Sequence, residues 1–205
     1  MKHLLLSVLL LFSWNAYSQE NSLLERLCQN VSESCLSLDY SYTARISGID
    51  NHAGGTLVNQ GEKWIVKGNG IEMYCDGSCV WVIDPALKEV VIEPIGSQDQ
   101  QSFLTNPARA FVSVSDSFHQ DAVNTSADGK ALIYSLSPKM AEGIQYLNIE
   151  IEKATAVIRS MSFALEDGTL VKIKVSSMKL TPKISNEAFK PQIGFDSRWI
   201  VTDLR

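Results

Sequence analysis

Leu36-Ser37-Leu38-Asp39-Tyr40-Ser41-Tyr42-Thr43-Ala44-Arg45-Ile46 is the stretch whose period decides the fold. Apolar or aromatic side chains at the even positions alternate with polar or charged ones at the odd positions. A period of two marks a strand buried on one face, because successive side chains leave a strand on opposite sides. The same reading extends to shorter runs on the C-terminal side. Strands are predicted at Gly55–Val58, Lys63–Lys67, Ile71–Cys75, Cys79–Asp84 and Glu89–Glu93. More are predicted at Asp121–Asn124, Ala131–Ser137, Ile144–Glu152, Ala156–Leu165 and Leu170–Lys179. Asp76-Gly77, Asp128-Gly129 and Asp167-Gly168 supply turns, Gly68-Asn69-Gly70 reads as another, and Asp84-Pro85 punctuates a strand end.

Two stretches follow a different period. Ser22 to Val31 carries Leu23, Leu24, Leu27 and Val31, the stripe of a short amphipathic helix. Between Ser97 and Phe118, the residues Phe103, Leu104, Ala108, Phe111 and Val112 fit helical spacing, with Asn106 as cap and Pro107 at the first helical position. About eleven strands, one N-terminal helix and one central helical insert predict a mainly β chain. Its antiparallel sheet should curl.

The 205 residues are 45% hydrophobic and 20% charged, enough apolar material for a full core and too much for a disordered or fibrous chain. A net charge of -5 leaves no basic surplus to displace counterions from phosphates, so nucleic acid is excluded as a partner. Docking on anionic lipid head groups is disfavoured for the same reason. Residues 1–18 read as an export signal, with Lys2 in front, an apolar run over Leu4–Phe12, and Ala16 and Ser18 at the -3 and -1 positions. That run is too short to span a bilayer. Gln19 follows the expected cut where a lipid-anchored protein would have Cys, so no anchor is expected there. Residues 19–205 should form one exported, soluble, monomeric domain.

Export changes how Cys28, Cys35, Cys75 and Cys79 read, because an oxidising compartment favours two disulfides. Three connectivities are open. The Asp76-Gly77 turn favours Cys75–Cys79, which leaves Cys28–Cys35, and each short loop would contribute about 2 kcal/mol. The spacings differ from the paired C-x-x-C of zinc or redox sites, and no metal is expected. Catalysis finds little support. His52, placed in a glycine-flanked loop, and His119, after the insert, sit in no nucleophile, metal or paired-carboxylate motif. Asp39, Asp84 and Glu93 alternate with apolar residues and read as solvent-facing strand charges, and Asn124-Thr125-Ser126 is a sequon without consequence in a bacterial-type export context. The chain is not read as an enzyme.

Several motifs, in order, resemble the periplasmic LolA-like lipoprotein carriers and, more closely, the LolA-like outer-membrane lipoprotein chaperones. Gly55-Thr56-Leu57 resembles the family's G-x-L strand, and Asp76-Gly77-Ser78-Cys79-Val80-Trp81-Val82-Ile83-Asp84-Pro85 its D-G-x-x-x-W-x-Y-D-P hairpin. Asn106-Pro107-Ala108-Arg109-Ala110-Phe111 resembles the helical stretch that follows. Phe189-Lys190-Pro191 through Val201-Thr202-Asp203-Leu204-Arg205 resembles the F-x-P…(V/I)-x-D-L-R close of the shorter subgroup. The resemblance implies an unclosed antiparallel β-barrel with its concave face covered by helices, no cofactor and no catalytic residue. It also implies a carrier that sequesters lipoprotein acyl chains, with an inner-membrane release complex and an outer-membrane acceptor as partners. One departure is visible: Gly61-Glu62 stands at about the place where classical members carry an Arg-Pro whose arginine pairs with the lid.

A curled sheet under a helical lid leaves an apolar concavity, a common setting for ligand sites. The predicted wall comprises Leu38, Tyr40, Tyr42 and Trp64 in the first strands, then Met73, Trp81, Met161 and Phe163. Phe103, Leu104 and Phe111 form the predicted lid. Each alone fits an ordinary core; as a set, with few helices to cover so much sheet, they fit a cavity. One 16-carbon chain buried there would release about 12 kcal/mol at roughly 0.8 kcal/mol per CH₂. Two other readings stay open on the same fold. One is a module sensing lipid or envelope stress, although the sensors in question carry a further C-terminal domain and this chain ends at Arg205. The other is a carrier of a different amphiphile.

Overall fold

The computed structural model describes residues 23–95, 114–139 and 143–205. Helix α1 covers residues 23–33, and its apolar stripe of Leu23, Leu24, Leu27 and Val31 is buried. Twelve strands follow: β1 (Cys35–Ile46), β2 (Ile49–Gln60), β3 (Lys63–Gly68), β4 (Ile71–Cys75), β5 (Cys79–Asp84) and β6 (Glu89–Pro94), then β7 (Phe118–Thr125), β8 (Ala131–Pro138), β9 (Ile144–Glu152), β10 (Ile158–Leu165), β11 (Leu170–Thr181) and β12 (Ile200–Asp203). A one-turn helix α2 (Val114–Ser117) precedes β7.

All twelve strands form one sheet in the order β12, β6, β5, β4, β3, β2, β1, β11, β10, β9, β8, β7. Every neighbouring pair is antiparallel except β12 with β6, which is parallel. β12 and β7 are separate edges, so the predicted curled and unclosed antiparallel sheet is present. Tight turns generate the meander. Ser47 and Gly48 both adopt positive φ between β1 and β2, as do Asn69 and Gly70 between β3 and β4. That combination belongs to the two-residue turns whose twist matches the flanking strands. Gly77, Gly129 and Gly168 take positive φ after the aspartates that announced those turns.

Three expectations are corrected. β2 begins at Ile49 and runs twelve residues, so His52 lies in a strand and not in a loop. β12 is a twelfth strand, short and exposed, for which the sequence offered no alternating run. Phe118 opens β7 and does not close the helical insert. Of that insert only α2 is described; Phe103, Leu104 and Phe111 lie outside the described residues.

Glycines let two strands of the sheet approach closely. Gly55 pairs with Tyr40 on one side and Gly68 on the other. A Cβ on Gly55 would sit 2.2 Å from the Lys67 carbonyl oxygen, and one on Gly68 would sit 2.5 Å from the Gly54 carbonyl oxygen. The backbones of β2 and β3 approach closely here, which only glycine permits.

The register sorts side chains into two faces. On the inner face, Leu36 aligns with Asn59, Trp64, Cys75 and Val80 across five strands, and Leu38 with Leu57, Val66, Met73 and Val82. Across β1, β11, β10 and β9 the inner rows are Tyr42–Ile173–Met161–Ile149 and Ala44–Val171–Phe163–Leu147. These rows and α1 form the main core. The outer face of β3 to β6 is apolar too: Ile65, Tyr74, Trp81 and Ile92 align there, beside Ile83 and Val90. The segment after β11 crosses this face. It is tied to Gln60 by paired hydrogen bonds at Ile184, anchored by fully buried Phe189, and lays Phe195 and Trp199 over the Trp81 cluster.

Candidate functional site

Among the described residues, the inner face is not completely filled. Toward the β1–β2 turn, a cavity of about 360 Å³ opens between the inner sides of β1, β10 and β11. Its floor is the row Ala44–Val171–Phe163 and its neighbour Ile173, with Tyr40 and Tyr42 along β1. Leu165 and Ile46 continue the apolar wall outward, and Asp167 and Thr169 stand at its end in the β10–β11 turn. Alternation delivers these side chains to one face, because Tyr40, Tyr42, Ala44 and Ile46 are spaced by two. Ile46 pairs with Ile49 at the hairpin tip, and both are exposed there, at 49% and 68%.

The polar groups of the cavity are few. Burial raises the pKa of the Tyr40 hydroxyl, and neighbouring Tyr42 adds to the shift. At the mouth, Asp167 accepts a 2.8 Å hydrogen bond from the Thr169 backbone N–H, and the Thr169 hydroxyl also serves it. Those bonds hold the Asp167 carboxyl below the usual carboxylate range.

The predicted wall residues divide three ways. Tyr40, Tyr42 and Phe163 line the cavity. Leu38, Trp64, Met73 and Met161 share the inner face but are packed in or against the main core. Trp81 does not belong to this wall. It lies on the outer face between Val80 and Val82, whose side chains point inward, and it packs with Tyr74, Ile83, Val90 and Ile92 beneath Phe195 and Trp199. The wall residues that sequence reading missed are Ala44, Ile46, Leu165, Val171 and Ile173. Their signal was present in the alternation of β1 and β11, but only the pairing of β1 with β11 joins them into one patch.

The cysteines also depart from expectation. All four are thiols, and the β4–β5 register works against a Cys75–Cys79 bridge. Cys75 pairs with Val80, so Cys79 lies one position off and faces the outer cluster while Cys75 faces the main core. Side chains on opposite faces cannot be joined without moving the backbone. Asp76 fixes this four-residue turn by accepting from the N–H groups of Ser78 and Cys79. Cys28 packs against the main core from α1, where burial pushes its thiol up to about 11, and Cys35 is buried at the start of β1. Maleimide should therefore label Cys79 first in the folded, reduced protein at about pH 8, since thiolate fraction and access set the rate. Equal rates at Cys28 and Cys79 would contradict this placement.

Beneath the cavity, the outer face of the same strands is polar. Ser41, Thr43, Lys172, Lys174, Ser160 and Ser162 line a shallow groove there. His52 joins this face, its Nδ1 3.0 Å from the Thr43 hydroxyl. A bulge between Ile158 and Ser160 turns Arg159 to the ion pairs with Asp128 and Glu152, each 2.8 Å long. Both carboxyls titrate below their usual range, Asp128 mainly through Ser126 and Lys130 hydrogen bonds and Glu152 mainly through Arg159. Lowered folded-state values mean that the stabilisation is present above the unfolded carboxyl pKa near 4 and is lost as pH falls through the folded values. Between about pH 5 and pH 2 the wild-type melting temperature should thus drop more steeply than that of Arg159→Met. Parallel curves would remove the network from the acid response.

Among the described residues, no helix is long and apolar enough to cross a membrane, and no three His, Cys, Asp or Glu side chains come together as a metal site. The family model of the outer membrane lipoprotein carrier protein LolA matches residues 65–192. Among solved structures, an uncharacterized conserved protein from Thermus thermophilus is similar with a TM-score of 0.56 at 14% identity, covering 89% of this chain and 98% of that one. A DUF1329 family protein from Desulfovibrio piger is similar with a TM-score of 0.50 at 13% identity, covering 85% and 96%. At such identities these two likenesses concern the fold alone. No curated protein matches the chain significantly. The family match spans more than half of the 205 residues, and with the unclosed, curled sheet it establishes that the chain belongs to the LolA family of outer membrane lipoprotein carriers.

Proposed function

We propose that this protein is a periplasmic carrier that holds the acyl chains of lipoproteins in the inner-face cavity and moves them toward the outer membrane. The observation that carries the reading is the cavity itself, apolar along Ala44, Phe163, Val171 and Ile173 and open at one end of a curled sheet. Membership in a lipoprotein-carrier family supports the cargo class. The export signal read in residues 1–18 supports the compartment. Delivery then requires an inner-membrane complex that releases the cargo and an outer-membrane acceptor. Retention follows from burial, since each CH₂ removed from water contributes about 0.8 kcal/mol, so even a partly inserted chain is held firmly.

Native mass spectrometry of the protein gently purified from its own periplasm tests the proposal. A co-purified triacylated peptide is the expected result. A free glycolipid in its place would make the protein a carrier of another amphiphile. A bound protein partner with an empty cavity would make it a sensing module.

A further inference from the structure

We infer that the cavity selects amphiphiles whose head group bears no negative charge, with Asp167 as the residue that rejects anionic heads. The inference rests on the acyl-binding reading above and adds the chemistry of the head. Among the described residues lining the cavity, Asp167 is the only charged one, and it stands exposed at the mouth. An ionised carboxylate accepts hydrogen bonds and donates none, so it suits a hydroxyl, amide or amine and repels a carboxylate or phosphate.

Among the described residues, the nearby cations do not compensate. Lys172 and Lys174 flank Ile173 on β11, and alternation sends both to the outer groove. Arg45 flanks Ala44 on β1 and is held in a bidentate pair with Asp50, both bonds 2.7 Å long. The tails of fatty acids and of neutral acylglycerols are alike, so the apolar wall cannot separate them. Discrimination falls to the mouth. The carboxylate is also fixed in place there, because the Asp167-Gly168 turn closes with the Gly168 N–H donating to Leu165 and the Leu165 N–H donating to Thr169.

The test displaces a neutral fluorescent probe, N-phenyl-1-naphthylamine, from the mature protein at pH 8 and low salt. The competitors are laurate, monolauroylglycerol and dodecylamine, each below its micelle concentration. Laurate should compete roughly fivefold or more weakly than monolauroylglycerol, and dodecylamine at least as well as the glyceride, the scale of an exposed charge contact. At about 0.5 M salt the laurate penalty should shrink through screening. In Asp167→Asn, whose amide oxygen can still accept from Thr169, the gap between laurate and monolauroylglycerol should close. Laurate binding as tightly as the glyceride, or a gap unchanged in Asp167→Asn and in high salt, overturns the head-group inference while leaving acyl binding intact. Failure of probe and all three competitors to bind overturns the acyl-binding reading, and this inference with it.

Discussion

Gly55→Val is expected to destabilise the fold by about 3 kcal/mol or more, the upper range for forced overpacking. The added Cβ would meet the Lys67 carbonyl oxygen at 2.2 Å and the Gly68 Cα at 3.1 Å. Both are backbone atoms of β3, so relief requires β2 and β3 to separate. Gly55 also pairs with Tyr40, which lines the cavity, so any residual folded protein should bind an acyl probe poorly. Gly194→Ala is the control: a Cβ there meets nothing within 4 Å, and stability should change by no more than about 0.5 kcal/mol. Urea denaturation of the two variants decides it. If Gly55→Val unfolds at the same midpoint as Gly194→Ala, the close approach of the strands is not what the G-x-L glycine serves.

Much of the fold was legible because most strands are exposed on one face and announce themselves by alternation. The bounds of β4, β5 and β9 match the sequence reading residue for residue. What failed has a few physical origins: burial from two sides, pairing at long range, the double role of glycine and a single step of register. Cys79 to Asp84 alternates neither in size nor in polarity, since Val80 and Val82 serve the main core while Trp81 and Ile83 serve the outer cluster. A strand buried on both faces reads as one apolar run, and nothing local says which face borders a cavity. The cover over Trp81 comes from Phe195 and Trp199, more than a hundred residues away. β2 was shortened because Gly54-Gly55 looks like a breaker, although those glycines are there to let two strands meet. The Cys75–Cys79 pairing failed by a single step of register, and one step moves a side chain to the opposite face.

Gly61-Glu62 stands at about the place where the resemblance would put an Arg-Pro. These residues form the β2–β3 turn, with Gly61 at a φ of +61°, a conformation that strains any residue with a Cβ. An arginine at Gly61 would have to occupy it.

Ala44→Phe and Trp81→Leu should separate binding from stability in opposite directions. Ala44 lies on the cavity floor beside Val171, and a phenyl ring there occupies space that a tail would fill. Displacing about three CH₂ groups from the cavity forfeits roughly 0.8 kcal/mol each, so acyl-probe affinity should fall about fiftyfold. Stability should stay within about 1 kcal/mol of wild type, because the ring fills a void with apolar surface. Trp81 is packed among Tyr74, Ile83 and Ile92 under the crossing C-terminal segment. Its truncation to leucine leaves a gap that Phe195 and Trp199 can close only in part, costing roughly 2–3 kcal/mol. The protein that remains folded should bind the probe normally, since no atom of the cavity has changed. Probe displacement and thermal melting on both variants give four numbers. Loss of binding in Trp81→Leu together with normal binding in Ala44→Phe would place the acyl site on the outer face and reverse the assignment of the two faces.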